Sequence, residues 1–215
     1  MNRYAERNMD KILAFAERLE GFDHPEDFAD AWAVCGGKVC GFYLGEAVAI
    51  WHILRREKIR SIAEVGRNLG GGLCILACAA RDLEYLWSID VVAIPEVDVP
   101  LAKWLATLGV ICKLDEADSA SISIPAKVPF TGQDLWDLVY IDGEHTGPGV
   151  KADIEKWRGR CRLIAFHDYA DEGRNYHRTR YNDVVDEISA AAARYGWERT
   201  GQRGRSEIVF RTENY

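Results

Sequence analysis

The spacing of apolar and polar positions changes once along the chain, near residue 60. Before that point the pattern is helical. Over residues 3–20, Ile12, Leu13, Ala16 and Leu19 recur at three- and four-residue intervals, and Gly21 follows as a stop. His24-Pro25-Glu26-Asp27 reads as a helix start with proline in the first turn, and Gly36-Gly37 as a break. Residues 45–58 predict another helix that buries Val48, Ile50, Trp51 and Leu54.

After residue 60 short apolar runs alternate with helical stretches. Strands are predicted at 61–66, 84–90, 110–114, 135–143 and 162–169, with helices at 71–80, 101–108, 150–157 and 181–195. A closing strand pair at 197–201 and 206–212 is joined by a Gly-containing turn. Continuous apolar strands that alternate with helices imply a mainly parallel sheet covered on both faces. The division predicted is a helical extension over 1–59, serving as lid or oligomer contact, and one ligand-binding α/β domain over 60–215.

In such sheets ligands bind beyond the carboxyl ends of the strands. The first strand ends in Glu64-Val65-Gly66-Arg67-Asn68-Leu69-Gly70-Gly71-Gly72. Its G-x-x-x-G-G-G spacing departs from the G-x-G-x-x-G of dinucleotide sites, which counts against a nicotinamide cofactor. Asp90 ends the second strand, about twenty residues after the loop, where an acid can accept both hydroxyls of a ribose. Asp118-Ser119, after the third strand, suits either a helix cap or the edge of a base. The fourth and fifth strands end in Tyr140-Ile141-Asp142-Gly143-Glu144-His145 and Phe166-His167-Asp168-Tyr169. Neighbouring strand ends would gather Asp142, His145, His167 and Asp168 at one point, a set able to bind a divalent cation or move protons.

Composition narrows the field. No apolar run reaches the about 18 residues of a membrane span, and the charged first residues lack the apolar core of a signal peptide, so a cytoplasmic location is expected. The six cysteines are then expected reduced, with Cys74 and Cys78 as core residues; Cys35 and Cys40 lack two further ligands for a zinc site. A net charge of −7 disfavours general nucleic-acid binding. The charge is uneven, however. Residues 1–150 hold 14 basic and 23 acidic side chains, whereas 151–180 hold 8 and 5. Arg174, His177, Arg178 and Arg180 in that basic stretch could grip an anionic or polyhydroxylated substrate, or simply be solvated or packed on another subunit.

From about Leu44 to Phe210 the residues resemble the class I S-adenosylmethionine-dependent methyltransferases, in the branch with bacterial sugar and macrolide O-methyltransferases and, more distantly, catechol O-methyltransferase. The most specific match is YIDGEHTGPGVKADIEKW (140–157) followed by LIAFHDY (163–169). The resemblance implies a Rossmann-like seven-stranded, mainly parallel sheet with a C-terminal antiparallel hairpin, and methylation of a hydroxyl on a small molecule such as a sugar or natural product. It implies that Glu64, Gly66 and Gly70 form the cofactor loop, that Asp90 holds the ribose, and that Asp118 and Ser119 border the adenine. Asp142, Asp168 and His167 would bind Mg²⁺ or another divalent cation, and His145 would be the general base. Where His167 stands, metal-dependent relatives carry a carboxylate or carboxamide. An imidazole suits a softer ion than Mg²⁺, or an acid–base role. Gly72 stands where relatives often have Ser or Thr. A homo-oligomer is expected. A cofactor-binding sensor or scaffold without catalysis is the competing reading.

Overall fold

A computed structural model describes residues 3–19, 44–167, 169, 182–201 and 208–212. The helix start at 24–27, the break at Gly36-Gly37, Cys35, Cys40, Asp168 and the basic residues 174–180 lie outside that set. Among the described residues two helices, α1 (Arg3–Leu19) and α2 (Leu44–Arg56), precede the alternating region. There follow β1 (Ser61–Val65), α3 (Gly71–Ala79), β2 (Tyr85–Asp90), α4 (Pro95–Thr107), β3 (Ile111–Glu116), β4 (Trp136–Ile141), α5 (Gly147–Trp157), β5 (Cys161–Phe166), α6 (Asn182–Tyr195), β6 (Glu198–Gly201) and β7 (Ile208–Arg211).

The strands form one seven-stranded sheet in the order β3-β2-β1-β4-β5-β7-β6. β1 to β5 are parallel, while β7 runs antiparallel to β5 and to β6. This is the doubly wound arrangement expected, with a C-terminal antiparallel pair. β1 and β4 are buried throughout, Glu64 included, because helices cover both faces. Successive side chains serve opposite layers. Ile62, Leu86, Leu138 and Leu163 pack with α1 to α4, whereas Ala63, Trp87, Val139 and Ile164 pack with α5 and α6. Met9, Ile12, Phe15, Ala16 and Leu19 of α1 belong to the first layer, so the N-terminal segment shares one core with the sheet. No helix among the described residues is long and apolar enough to cross a membrane.

Two helices begin earlier than their apolar pattern predicts. α4 starts at Pro95 and carries Pro100 inside it, where the sequence suggests a start at Leu101. α5 starts at Gly147, through Pro148 and Gly149, where Val150 is the first apolar position. Thr146 caps it: its side-chain oxygen accepts the Gly149 N–H at 3.1 Å, satisfying an end that weak helix formers would otherwise fray.

Candidate functional site

The chain leaves β1 toward β2 on one side and sits beside β4 on the other, so the sheet's switch point lies between β1 and β4. There a cavity of about 680 Å³ opens beyond the carboxyl ends of the strands, within the about 300–1,000 Å³ range of small-ligand sites. Backbone bonds carry the sheet register past the strand ends and fix the site residues. Gly66 N–H donates to Ile89 O, Asp142 N–H to Val65 O, His167 N–H to Ile141 O and Ala117 N–H to Asp90 O.

The glycine loop is held by protein contacts. Gly66 has φ +89°. A Cβ there would overlap the Asp142 carbonyl, so only glycine lets the loop cross the end of β4. Gly70 (φ +77°) caps α3, and a Cβ would overlap Leu101; it does not line the cavity, whereas Gly71 and Gly72 do. Asp90 Oδ2 accepts the N–H groups of Arg67 and Asn68, both at 2.8 Å, and Oδ1 accepts Val92 N–H at 2.9 Å. Its carboxylate thus anchors the loop while still lining the cavity, with acceptor capacity left over. The Arg67 guanidinium turns inward, 3% exposed, onto Asp98 of α4 at 2.8 and 3.1 Å. Beneath it Ser88 Oγ donates to Glu64 at 2.5 Å. Glu64 is 1% exposed, and burial pushes its carboxyl up to about 8.

At the next strand end Asp142 Oδ1 lies 3.2 Å from His167 Nδ1 and 3.9 Å from His145 Nε2. One carboxylate oxygen therefore faces both imidazoles. His167 is largely enclosed, whereas His145 is nearly half exposed and lines the cavity. This arrangement can orient an imidazole and stabilise it once protonated. The third member of the expected cation set, Asp168, is outside the described residues. Among the described residues no group of three or more His, Cys, Asp or Glu side chains is placed to hold a metal ion. The described members of that set, one carboxylate with two imidazoles, suit a softer ion better than Mg²⁺, which takes oxygen ligands.

Opposite the loop, Asp118 Oδ1 accepts the Ala120 N–H at 3.0 Å, closing its own turn. Ser119 Oγ donates at 2.5 Å to Asp153 of α5. Asp153 is 2% exposed yet lines the cavity, and burial raises its carboxyl to about 6.

No protein-family model matches the chain, and no curated protein matches it. Solved structures do. A Staphylococcus aureus protein named as a caffeoyl-CoA O-methyltransferase aligns with TM-score 0.58 and 15% identity over 94% of this chain and 99% of its own. A Klebsiella pneumoniae protein named as an O-methyltransferase gives 0.55 and 14% over 100% and 91%. An O-methyltransferase family 2 protein from Planctomyces limnophilus, solved with apigenin, gives 0.56 and 14% over 94% and 66%. The fold is that of known methyltransferases. At these identities the likeness extends to the fold alone, and a Pyrococcus horikoshii protein named as an RNA methyltransferase also shares it (TM-score 0.54, 12% identity).

Within this methyltransferase fold the structure brings Glu64, Gly66, Asp90, Asp118, Ser119, Asp142 and His145 to one cavity, sets Gly70 behind it and places His167 against Asp142. Arg67 and Asp153 are functional neighbours the sequence reading passes over. Asp153 leaves a signal. It sits among Val150, Ile154 and Trp157 on the apolar side of its helix, where an unpaired acid is costly. Arg67 leaves none, because its partner Asp98 is 31 residues away.

Proposed function

We propose that this chain is an S-adenosylmethionine-dependent methyltransferase acting on a hydroxyl of a small molecule. The observation that carries this reading is the charge of the cavity. Asp90, Asp118, Asp142, Glu144 and Asp153 line it, and the guanidinium of Arg67, the one Lys or Arg among the described lining residues, is bound to Asp98. That wall suits a ligand bearing a sulfonium and an ammonium, and repels the diphosphate of a dinucleotide. The amino end of α3, at Gly71 and Gly72, offers N–H groups for the ligand's carboxylate. Asp90, already bonded to the loop, keeps capacity for the ribose hydroxyls.

The bound cofactor supplies an electrophilic methyl group; the chain must supply an aligned nucleophile. A hydroxyl is a poor nucleophile until its proton is removed. His145, at the cavity wall and in contact with solvent, accepts that proton; Asp142 stabilises the resulting imidazolium, and His167 braces Asp142 from the enclosed side.

Calorimetry tests the reading with S-adenosylmethionine, S-adenosylhomocysteine and NAD, each with and without Mg²⁺. Binding of the first two but not NAD is expected; the reverse order overturns it. His145→Ala is expected to retain S-adenosylhomocysteine affinity within about twofold and to lose ~10²-fold or more of turnover on a hydroxyl acceptor. Unchanged turnover removes His145 as the base.

A further inference from the structure

Away from the cavity, one edge of the sheet stays open. Among the described residues β3, Ile111-Cys112-Lys113-Leu114-Asp115-Glu116, pairs with β2 alone. Ile111 and Ala117 donate their N–H groups to the Glu84 and Asp90 carbonyls. The parallel register repeats every second residue, so Ile111, Lys113 and Asp115 spend their backbone groups on β2. Cys112, Leu114 and Glu116 turn theirs to the outer edge.

The side chains of Ile111, Lys113 and Asp115 share one face. Ile111 is 46% exposed, and it lies in register with Tyr85, whose ring meets that of Phe130 at 5.3 Å. Phe130 is 71% exposed and holds φ +65°, a conformation that bulky residues rarely adopt. Lys113 lies over the Trp87 ring and pairs with Asp115, which also accepts the Trp87 Nε1–H at 2.9 Å. A fixed pair of opposite charges thus stands on the open edge, beside two exposed apolar side chains.

We infer that β3 pairs antiparallel with β3 of a second copy of this chain, about a two-fold axis at Leu114. Charge selects that register. A two-fold pairing matches outward-turned residues with outward-turned residues. With the axis at Lys113 two lysines stand opposite each other, and with the axis at Asp115 two aspartates do. Axes nearer either end overlap only part of the strand. With the axis at Leu114, Lys113 of each copy faces Asp115 of the other, with Cβ atoms about 5 Å apart, and Ile111 faces Ala117. A lysine on an edge strand ordinarily deters pairing; here its own strand supplies the matching acid. Two seven-stranded sheets become one. The interface is small, below about 1,200 Å², so the dimer dissociates in the micromolar range.

Sedimentation velocity on the full chain, from low to high micromolar concentration, tests this. The wild type is expected to pass from monomer to dimer. Lys113→Asp and Asp115→Lys each set like charges opposite twice across the axis, and each is expected to weaken self-association at least about tenfold. An equimolar mixture of the two variants is expected to recover a heterodimer within about threefold of the wild-type Kd, although neither chain regains its own Lys–Asp pair. Asp115→Asn, which keeps an acceptor for Trp87, replaces Asp115→Lys should that variant fail to fold; it is expected to weaken self-association severalfold. A wild type that stays monomeric, single variants that associate as tightly as wild type, or a mixture no tighter than its components overturns the inference.

Discussion

Glu64 is where burial and charge conflict most sharply. It stands in a fully buried strand, its carboxyl is raised to about 8 by desolvation, and Ser88 and Arg67 only partly offset that. The folded state therefore holds a proton that the unfolded chain releases near the ordinary carboxylate value of 4.5. Between those values the folded state binds more protons, so this group's contribution to stability falls as pH rises and levels off above about 8. Glu64→Gln carries the neutral form at every pH and can still accept from Ser88. Its unfolding free energy relative to wild type is expected to rise by a few kcal/mol from pH 5 to pH 9, since a tenfold change in proton affinity is about 1.36 kcal/mol. Denaturant melts across that range measure it. Parallel curves for the two proteins would mean that Glu64 is already ionised in the fold.

At the level of elements, the strands were legible because each is a short apolar run ended by Gly or an acid, and each strand predicted at 61–66, 84–90 and 135–143 falls within a residue or two of β1, β2 and β4. The starts of α4 and α5 were not, since Pro95 and Thr146 act through cap geometry rather than through apolar spacing. The strand ends of the candidate site were legible for the same reason as the strands. The contacts joining elements were not, because they pair residues far apart. Arg67 and Asp98 are the clearest case: a buried guanidinium fastens the glycine loop to the first turn of α4. Removing one partner of a buried pair leaves the other charge uncompensated, which costs about 3–5 kcal/mol, whereas removing both is often tolerated. Asp98→Ala is expected to lose that much stability and Arg67→Met with Asp98→Ala to regain most of it. Thermal melts of both variants decide the point. Equal loss in single and double variants would show that packing rather than charge holds the loop.

Across the whole molecule the two ends of the sheet are finished in opposite ways. The carboxyl end is left open, with acids facing a cavity. The amino end is closed on itself by Asp137, 2% exposed, the second residue of β4. Its Oδ2 accepts from the Arg60 and Ser61 N–H groups at 2.7 and 3.2 Å and from Gln133 Nε2 at 2.9 Å, and Oδ1 accepts from Arg162 Nε at 2.8 Å. Arg162 continues to the Lys58 carbonyl at 2.9 Å. One carboxylate thus joins β1, β4 and β5 where the strands begin. Asp142 lies five residues along from Asp137, about 17 Å away at the rise of a strand. Among the described residues the two ends share the core but no side-chain polar contact, so stability and ligand binding should separate. Asp137→Ala strips the partner from a partly buried guanidinium and from two backbone donors. A loss of about 3–5 kcal/mol is expected, lowering Tm by roughly 10 °C for a chain of this length. At 15 °C, well below the transition, affinity for S-adenosylhomocysteine is expected to stay within about twofold of wild type. A tenfold weaker Kd with an unchanged Tm would mean that the amino end positions the cavity, and that the strands transmit displacement along their length instead of bracing the site.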